Sequence, residues 1–195
     1  MPCYNSDMCP ENFHRKKCHR YDFAGHAHEL TFSCYKKRAF LLSERTCQYL
    51  VDSIVHARQK HDFDLWAYVF MPEHVHVLIC PRKLSYSISQ ILLSIKQPIS
   101  RRAMIYLRKH NPAGLKSLAT GQKHSPYRFW QAGGGYDRNI TSSRTIINVV
   151  RYIHNNPVRR ELASSAEQWY YSSAAEWHST GSGPIPLDRD SFPVI

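Results

Sequence analysis

From Glu29 to Ile153 the apolar positions recur with two periods, every second residue in some stretches and every third or fourth in others. Glu29-Leu30-Thr31-Phe32-Ser33-Cys34-Tyr35 alternates and predicts a first strand. Thr46, Leu50, Ile54 and Ala57 predict a helix from Ser43, its N-cap, to about Lys60. Phe63-Asp64-Leu65-Trp66-Ala67-Tyr68-Val69-Phe70 reads as a second strand. Pro72 breaks the chain just before a third, so these two form a hairpin. From Leu84 to His110, Ile88, Ile91, Leu92, Ile95, Ile99, Met104 and Leu107 fall at helical spacing, with Pro98 marking a kink or a division. A loop follows from Asn111 to Pro126. Phe129-Trp130-Gln131 then opens a short strand that ends at Gly133-Gly134-Gly135. Ser142 or Ser143 caps a last helix whose stripe is Ile146, Val149, Val150 and Ile153, before Pro157. The order strand, helix, strand, strand, helix, strand is that of an α+β ferredoxin-like sandwich, an antiparallel sheet with helices on one face. Residues 1–26 lack periodicity and form an N-terminal arm, 27–178 the folded domain, and 179–195 an irregular tail rich in Gly, Pro and Ser.

The third strand carries the most specific chemistry. In Met71-Pro72-Glu73-His74-Val75-His76-Val77-Leu78-Ile79-Cys80 the two histidines lie two residues apart, so their rings point to one face. Val75, Val77 and Ile79 pack the other. Two parallel imidazoles on a rigid strand are suited to gripping one metal ion. His26-Ala27-His28 repeats the spacing without a flanking apolar run and reads as a solvated loop.

Charge narrows the partner. Lys and Arg outnumber Asp and Glu 26 to 15, a formal charge of +11 spread along the 195 residues, which fits a polyanion. Arg101, Arg102, Arg108, Lys109, Arg159 and Arg160 are candidate phosphate contacts, and Trp130 and Tyr136 candidate stacking platforms for bases. No apolar run has the length of a membrane span and no signal-peptide layout opens the chain, so a cytosolic protein is expected. Cys34, Cys47 and Cys80 read as core thiols. Cys3, Cys9 and Cys18, with His14 and His19, lack a tight zinc knuckle, and the three glycines lack the Lys-Ser or Lys-Thr of a phosphate loop.

On the last helix Asn148, Tyr152 and Asn156 are spaced by four along a polar flank. Here the chain resembles the single-tyrosine HUH transposases of the IS200-like superfamily, most closely their REP-associated branch. The resemblance rests on Met71-Pro72-Glu73-His74-Val75-His76, on Phe129-Trp130-Gln131, on Val150-Arg151-Tyr152-Ile153-His154-Asn155-Asn156-Pro157-Val158-Arg159 and on Trp169-Tyr170-Tyr171-Ser172-Ser173. It implies that Tyr152 is the nucleophile, that His74 and His76 are metal ligands, and that Asn156 is the third ligand, where some relatives use glutamine. It further implies a 5′-phosphotyrosine link on single-stranded DNA with hairpins. The REP-associated branch points to a monomer, insertion-sequence relatives to a dimer.

Two imidazoles and one amide oxygen leave positions for phosphate and water, which suits Mg²⁺ or Mn²⁺ as a Lewis acid. Two other readings stay open on the residues alone. One is a catalytically silent nucleic-acid-binding module, and the other a hydrolytic nuclease in which water attacks and Tyr152 only positions the strand.

Overall fold

The period-two stretches pair into one four-stranded antiparallel sheet of order β2-β3-β1-β4, in a computed structural model that describes residues 21–193. The strands are β1 (Ala27–Ser33), β2 (Phe63–Phe70), β3 (His74–Pro81) and β4 (Tyr136–Ile140). Helix α1 (Glu44–His61) joins β1 to β2, and α2 (Ile88–His110) joins β3 to β4. Helix α3 (Ser143–His154) follows β4 and leads into the single turn α4 (Asn156–Arg159). The expected α+β order and ferredoxin-like sheet are present. The Cys3, Cys9 and Cys18 arm lies outside the described residues.

Apolar alternation decides which layer each strand face joins. Leu30, Phe32, Tyr68, Phe70, Val75, Val77 and Ile79 form one core with the buried stripes of α1 (Leu50, Ile54, Ala57) and α2 (Ile88, Ile91, Ile95, Ile99). Trp66, Val69, Met71, Leu78 and Ile140 form a second core with Ile146, Val149, Val150 and Ile153 of α3. Helices therefore lie on both faces, which amends the expectation of one covered face: α3 has its own apolar stripe and needs a sheet surface to bury it. Each large aliphatic side chain so buried contributes about 1.5–3 kcal/mol. At Pro98, α2 continues unbroken, since burial of Ile95 and Ile99 on either side offsets the loss of a single backbone donor.

Two strand expectations shift. Phe129-Trp130-Gln131 does not open β4; Trp130 makes an isolated bridge to Cys34, and the paired strand begins only at Tyr136, after the glycines. The intervening residues leave β1 and return to it, and Gly135 (φ +78°) lies so close that a Cβ would sit 2.1 Å from the Thr31 carbonyl oxygen. Nor is His28 in a solvated loop. It is fully buried in β1, bonded through Nδ1 to Asp137 (2.9 Å) and through Nε2 to the Tyr86 hydroxyl (2.8 Å).

The tail is irregular, as expected, yet belongs to the folded body. It covers the outer edge of β2, where Asp188 exchanges bonds with the Leu65 backbone and Ile185 N–H donates to the Tyr68 hydroxyl (3.0 Å). Ser173 and Tyr171 satisfy Tyr68 and Phe70 farther along the same edge. Cys34 and Cys47 are core thiols whose burial pushes them up to about 12, and Cys80 rises to about 11 for the same reason. Among the described residues no helix is long and apolar enough to cross a membrane.

Candidate active site

The rings of His74 and His76 leave β3 on the side where α3 packs. Their centroids are 4.8 Å apart and their Nε2 atoms 3.1 Å apart. Each ring is held from behind at its other nitrogen. His74 Nδ1–H donates to the Glu73 carboxylate (3.0 Å), and His76 Nδ1 bonds the Thr31 hydroxyl (2.8 Å), its partner across the β1–β3 ladder. A hydroxyl can donate or accept, so Thr31 accommodates either His76 tautomer.

Electrostatics keep both rings neutral. Burial, and then the neighbouring His74, push His76 down to about 4. Burial also lowers His74, with Glu73 offsetting only part of the effect. Burial acts to raise the Glu73 carboxyl, but hydrogen bonds and charge from Arg160 and His74 hold it below its usual value. Near pH 7 neither ring has to shed a positive charge to bind a cation, and with His76 in the tautomer that donates from Nδ1 to Thr31 both Nε2 lone pairs face one point. Two cis ligands about 2.1 Å from an octahedral ion lie about 3.0 Å apart, so the observed separation fits the donor set.

Tyr152 stands over this pair. Its ring meets that of His76 edge to face at 5.5 Å and is 41% exposed, so the hydroxyl-bearing side chain is open to a large ligand. Arg159 places its guanidinium 5.4 Å from the same ring centre, and Arg160 pairs with Glu73. Asn156 is buried one turn beyond Tyr152, where its amide nitrogen donates to the Tyr152 carbonyl (2.7 Å). That bond caps α3 and leaves the amide oxygen, a hard donor of the kind Mg²⁺ or Mn²⁺ takes, for another partner. Among the described residues no cluster of three His, Cys, Asp or Glu side chains could hold a metal.

The remaining predicted contacts divide by layer. Tyr136 is half-exposed on β4, facing a cleft of about 620 Å³ shared with Tyr152 and His76. Trp130 is buried and donates its indole N–H to the Lys96 carbonyl (3.0 Å), packed edge to face on Phe32, so it is a core residue and not a platform for bases. Arg101, Arg102, Arg108 and Lys109 lie on α2, in the layer across the sheet from Tyr152, and Arg102 is engaged with Asp52 (2.6 Å) and the Tyr49 ring. Sequence reasoning missed Glu29, Arg138 and Thr145 in the cleft. A signal existed: Glu29 and Thr31 alternate with Leu30 and Phe32, which places them on the polar face.

No curated protein matches this chain. Among solved structures it is similar to a REP-associated tyrosine transposase bound to a REP hairpin, with a TM-score of 0.65 and 19% identity, covering 91% of this chain and 97% of that one. A Deinococcus radiodurans R1 protein described as a transposase aligns with a TM-score of 0.41 and 19% identity, over 71% and 94% of the two chains. The model of the family "Transposase IS200 like" matches residues 26–156, a stretch that includes the histidine pair, the tyrosine and the asparagine. The chain belongs to the IS200-like transposase family.

Proposed function

We propose that this transposase is a single-stranded DNA transesterase in which Tyr152 attacks a phosphodiester and holds the 5′-phosphate as a phosphotyrosine. The observation that carries the reading is the contact of the Tyr152 ring with His76, whose Nε2 converges with that of His74 to 3.1 Å. His74, His76 and the Asn156 amide oxygen would hold Mg²⁺ or Mn²⁺, which when bound supplies Lewis acidity to the scissile phosphate. Glu73 and Thr31 fix the two rings from behind.

The Tyr152 oxygen forms a bond to phosphorus as the bond from phosphorus to the sugar 3′ oxygen breaks. The phenol loses its proton and the departing 3′ oxygen gains one, so one ester replaces another. Arg159, beside the Tyr152 ring, is placed to offset phosphate charge. Phenol, with a pKa of about 10, leaves more readily than a sugar hydroxyl, so a 3′-hydroxyl can later attack the link and rejoin strands. Hairpin-bearing single strands are the proposed substrate, in keeping with the net charge and with the REP hairpin bound by the similar structure. Closure of the β2 edge by the chain's own tail supports a monomer.

The test is covalent capture of a labelled single-stranded hairpin library in Mn²⁺, resolved by denaturing electrophoresis. Wild type should form an adduct that EDTA prevents and Tyr152→Phe lacks while still binding DNA. Cleavage without an adduct would make the protein a hydrolase, and binding without cleavage a silent binder.

A further inference from the structure

The proposed chemistry occupies one end of the cleft and leaves the other unexplained. Cross-strand register places His76, Thr31 and Tyr136 in one row and Leu78, Glu29 and Arg138 in the next, about 7 Å along the strands. Glu29 and Thr31 share a face, so the Glu29 carboxylate lines the same cleft as Tyr152. It is 6% exposed and ion-paired with Arg138 at 2.9 Å, whose side chain is 45% exposed. Thr145 and Asn148 of α3 line the cleft as well, and Tyr136 offers an exposed ring.

A nearly buried carboxylate carries a desolvation cost that a single cross-strand ion pair on a half-polar face need not incur for stability. Its setting is that of a recognition group: a cleft of about 620 Å³, within the roughly 300–1,000 Å³ of small-ligand sites, lined by a few polar groups and one aromatic ring. The carboxylate accepts and the guanidinium beside it donates. That pairing complements the edge of a base bearing an exocyclic amine next to a ring or carbonyl acceptor. In the pose that seats such an amine, thymine turns its O4 toward the carboxylate and its imide N3–H toward the guanidinium, so both contacts are mismatched.

We propose that this cleft is a nucleobase subsite in which Glu29 and Arg138 read an amine-bearing base next to the phosphate attacked by Tyr152, and exclude thymine. The assignment rests on the transesterase reading for where the scissile phosphate lies, but base recognition itself requires no chemistry. Tyr136 stacks on the base, and Asn148 supplies a further polar contact from the helix.

The experiment is a binding selection from hairpin oligonucleotides with randomised single-stranded flanks, using Tyr152→Phe protein so that no adduct forms, followed by sequencing. Thymine should be depleted about fivefold or more at one flanking position. Adding Glu29→Gln, whose amide can donate as well as accept, should abolish that depletion with the melting temperature retained. Arg138→Gln, which removes the cation but keeps an N–H donor for the Glu29 carboxylate, should alter the ranking among the three amine-bearing bases while thymine stays excluded, with the melting temperature measured alongside. If Glu29→Gln fails to fold, the Arg138→Gln profile decides.

A base profile unaltered by either variant would overturn the subsite. So would a Glu29→Gln enzyme, in the wild-type Tyr152 background, that loses all cleavage while keeping thymine excluded, because the carboxylate would then serve proton transfer. Failure of the transesterase reading looks different: wild type would form no adduct, while Glu29-dependent exclusion of thymine would persist in the binding selection.

Discussion

The two faces of the sheet are built to different ends. On the side of α1 and α2 the strand residues are mostly apolar and sealed, with Leu30, Val75, Val77 and Ile79 wholly buried under helices of 18 and 23 residues. On the other side α3 has only 12 residues, about 18 Å of helix, and covers Trp66, Val69 and Leu78 while leaving Glu29, Thr31 and His76 along an open cleft. A single strand such as β3 therefore serves both, with valines in the closed layer and histidines in the open one. A short helix on a long sheet thus leaves an open cleft beside a closed core.

Neighbouring residues of β1 give the sharpest break. Phe32→Ala, on the closed face, should cost about 3–5 kcal/mol, whereas Thr31→Ala, on the open face, should cost about 1 kcal/mol through its lost hydrogen bond to His76. Urea unfolding of the two variants checks this, and equal losses would erase the distinction between faces. Thr31→Ala should nevertheless weaken Mn²⁺-dependent cleavage, since it frees the His76 ring.

Next in size is a pH effect on the α3 side. His154 is buried, with Nε2 bonded to the Ser173 hydroxyl at 2.8 Å; burial, and then the charge of His178, push it down to about 4, which Glu167 opposes only in part. The unfolded chain binds this proton near pH 6.5 and the folded chain only near 4, so stability is lost as pH falls through that window. The loss should be on the order of 2 kcal/mol at pH 5. His154→Gln should flatten the slope of stability against pH between 6.5 and 4, measured by urea unfolding at several pH values.

The smallest effects concern the cations of the two layers. Replacing Arg159 or Arg160 with alanine, beside Tyr152, should lower the magnitude of the log-log salt slope for single-strand binding by about 0.7 each. The same change at Arg108 or Lys109, on α2, should leave the slope alone. The reverse result would move the DNA track to the closed layer.

What the sequence disclosed follows the strength of its periods. β2, β3, α1 and α3 stand where alternation and helical spacing put them, because their buried faces are long and apolar. β4 was misplaced because Tyr136-Asp137-Arg138-Asn139-Ile140 is a largely polar edge strand, while Phe129 and Trp130 are core aromatics that only look like one. The docking of the tail rests on isolated anchors, Gly183, Ile185 and Asp188, which carry no period. In the site, the shared face of His74 and His76 was legible from spacing. The nearness of Tyr152 to them came from resemblance, since no local pattern tells how α3 crosses the sheet. The pairing of Glu29 with Arg138 needed the register of β1 against β4.

The role proposed for Tyr152 turns on which atom carries the DNA. Wild-type protein incubated with Mn²⁺ and a single-stranded hairpin library should be digested with protease and nuclease, and the modified peptide mapped by mass spectrometry. The expected result is one nucleotide 5′-phosphate remnant on the peptide containing Tyr152, absent in EDTA and in His76→Ala. A remnant on any other of the twelve tyrosines, or an unmodified Tyr152 peptide under conditions in which the DNA is cut, would contradict it.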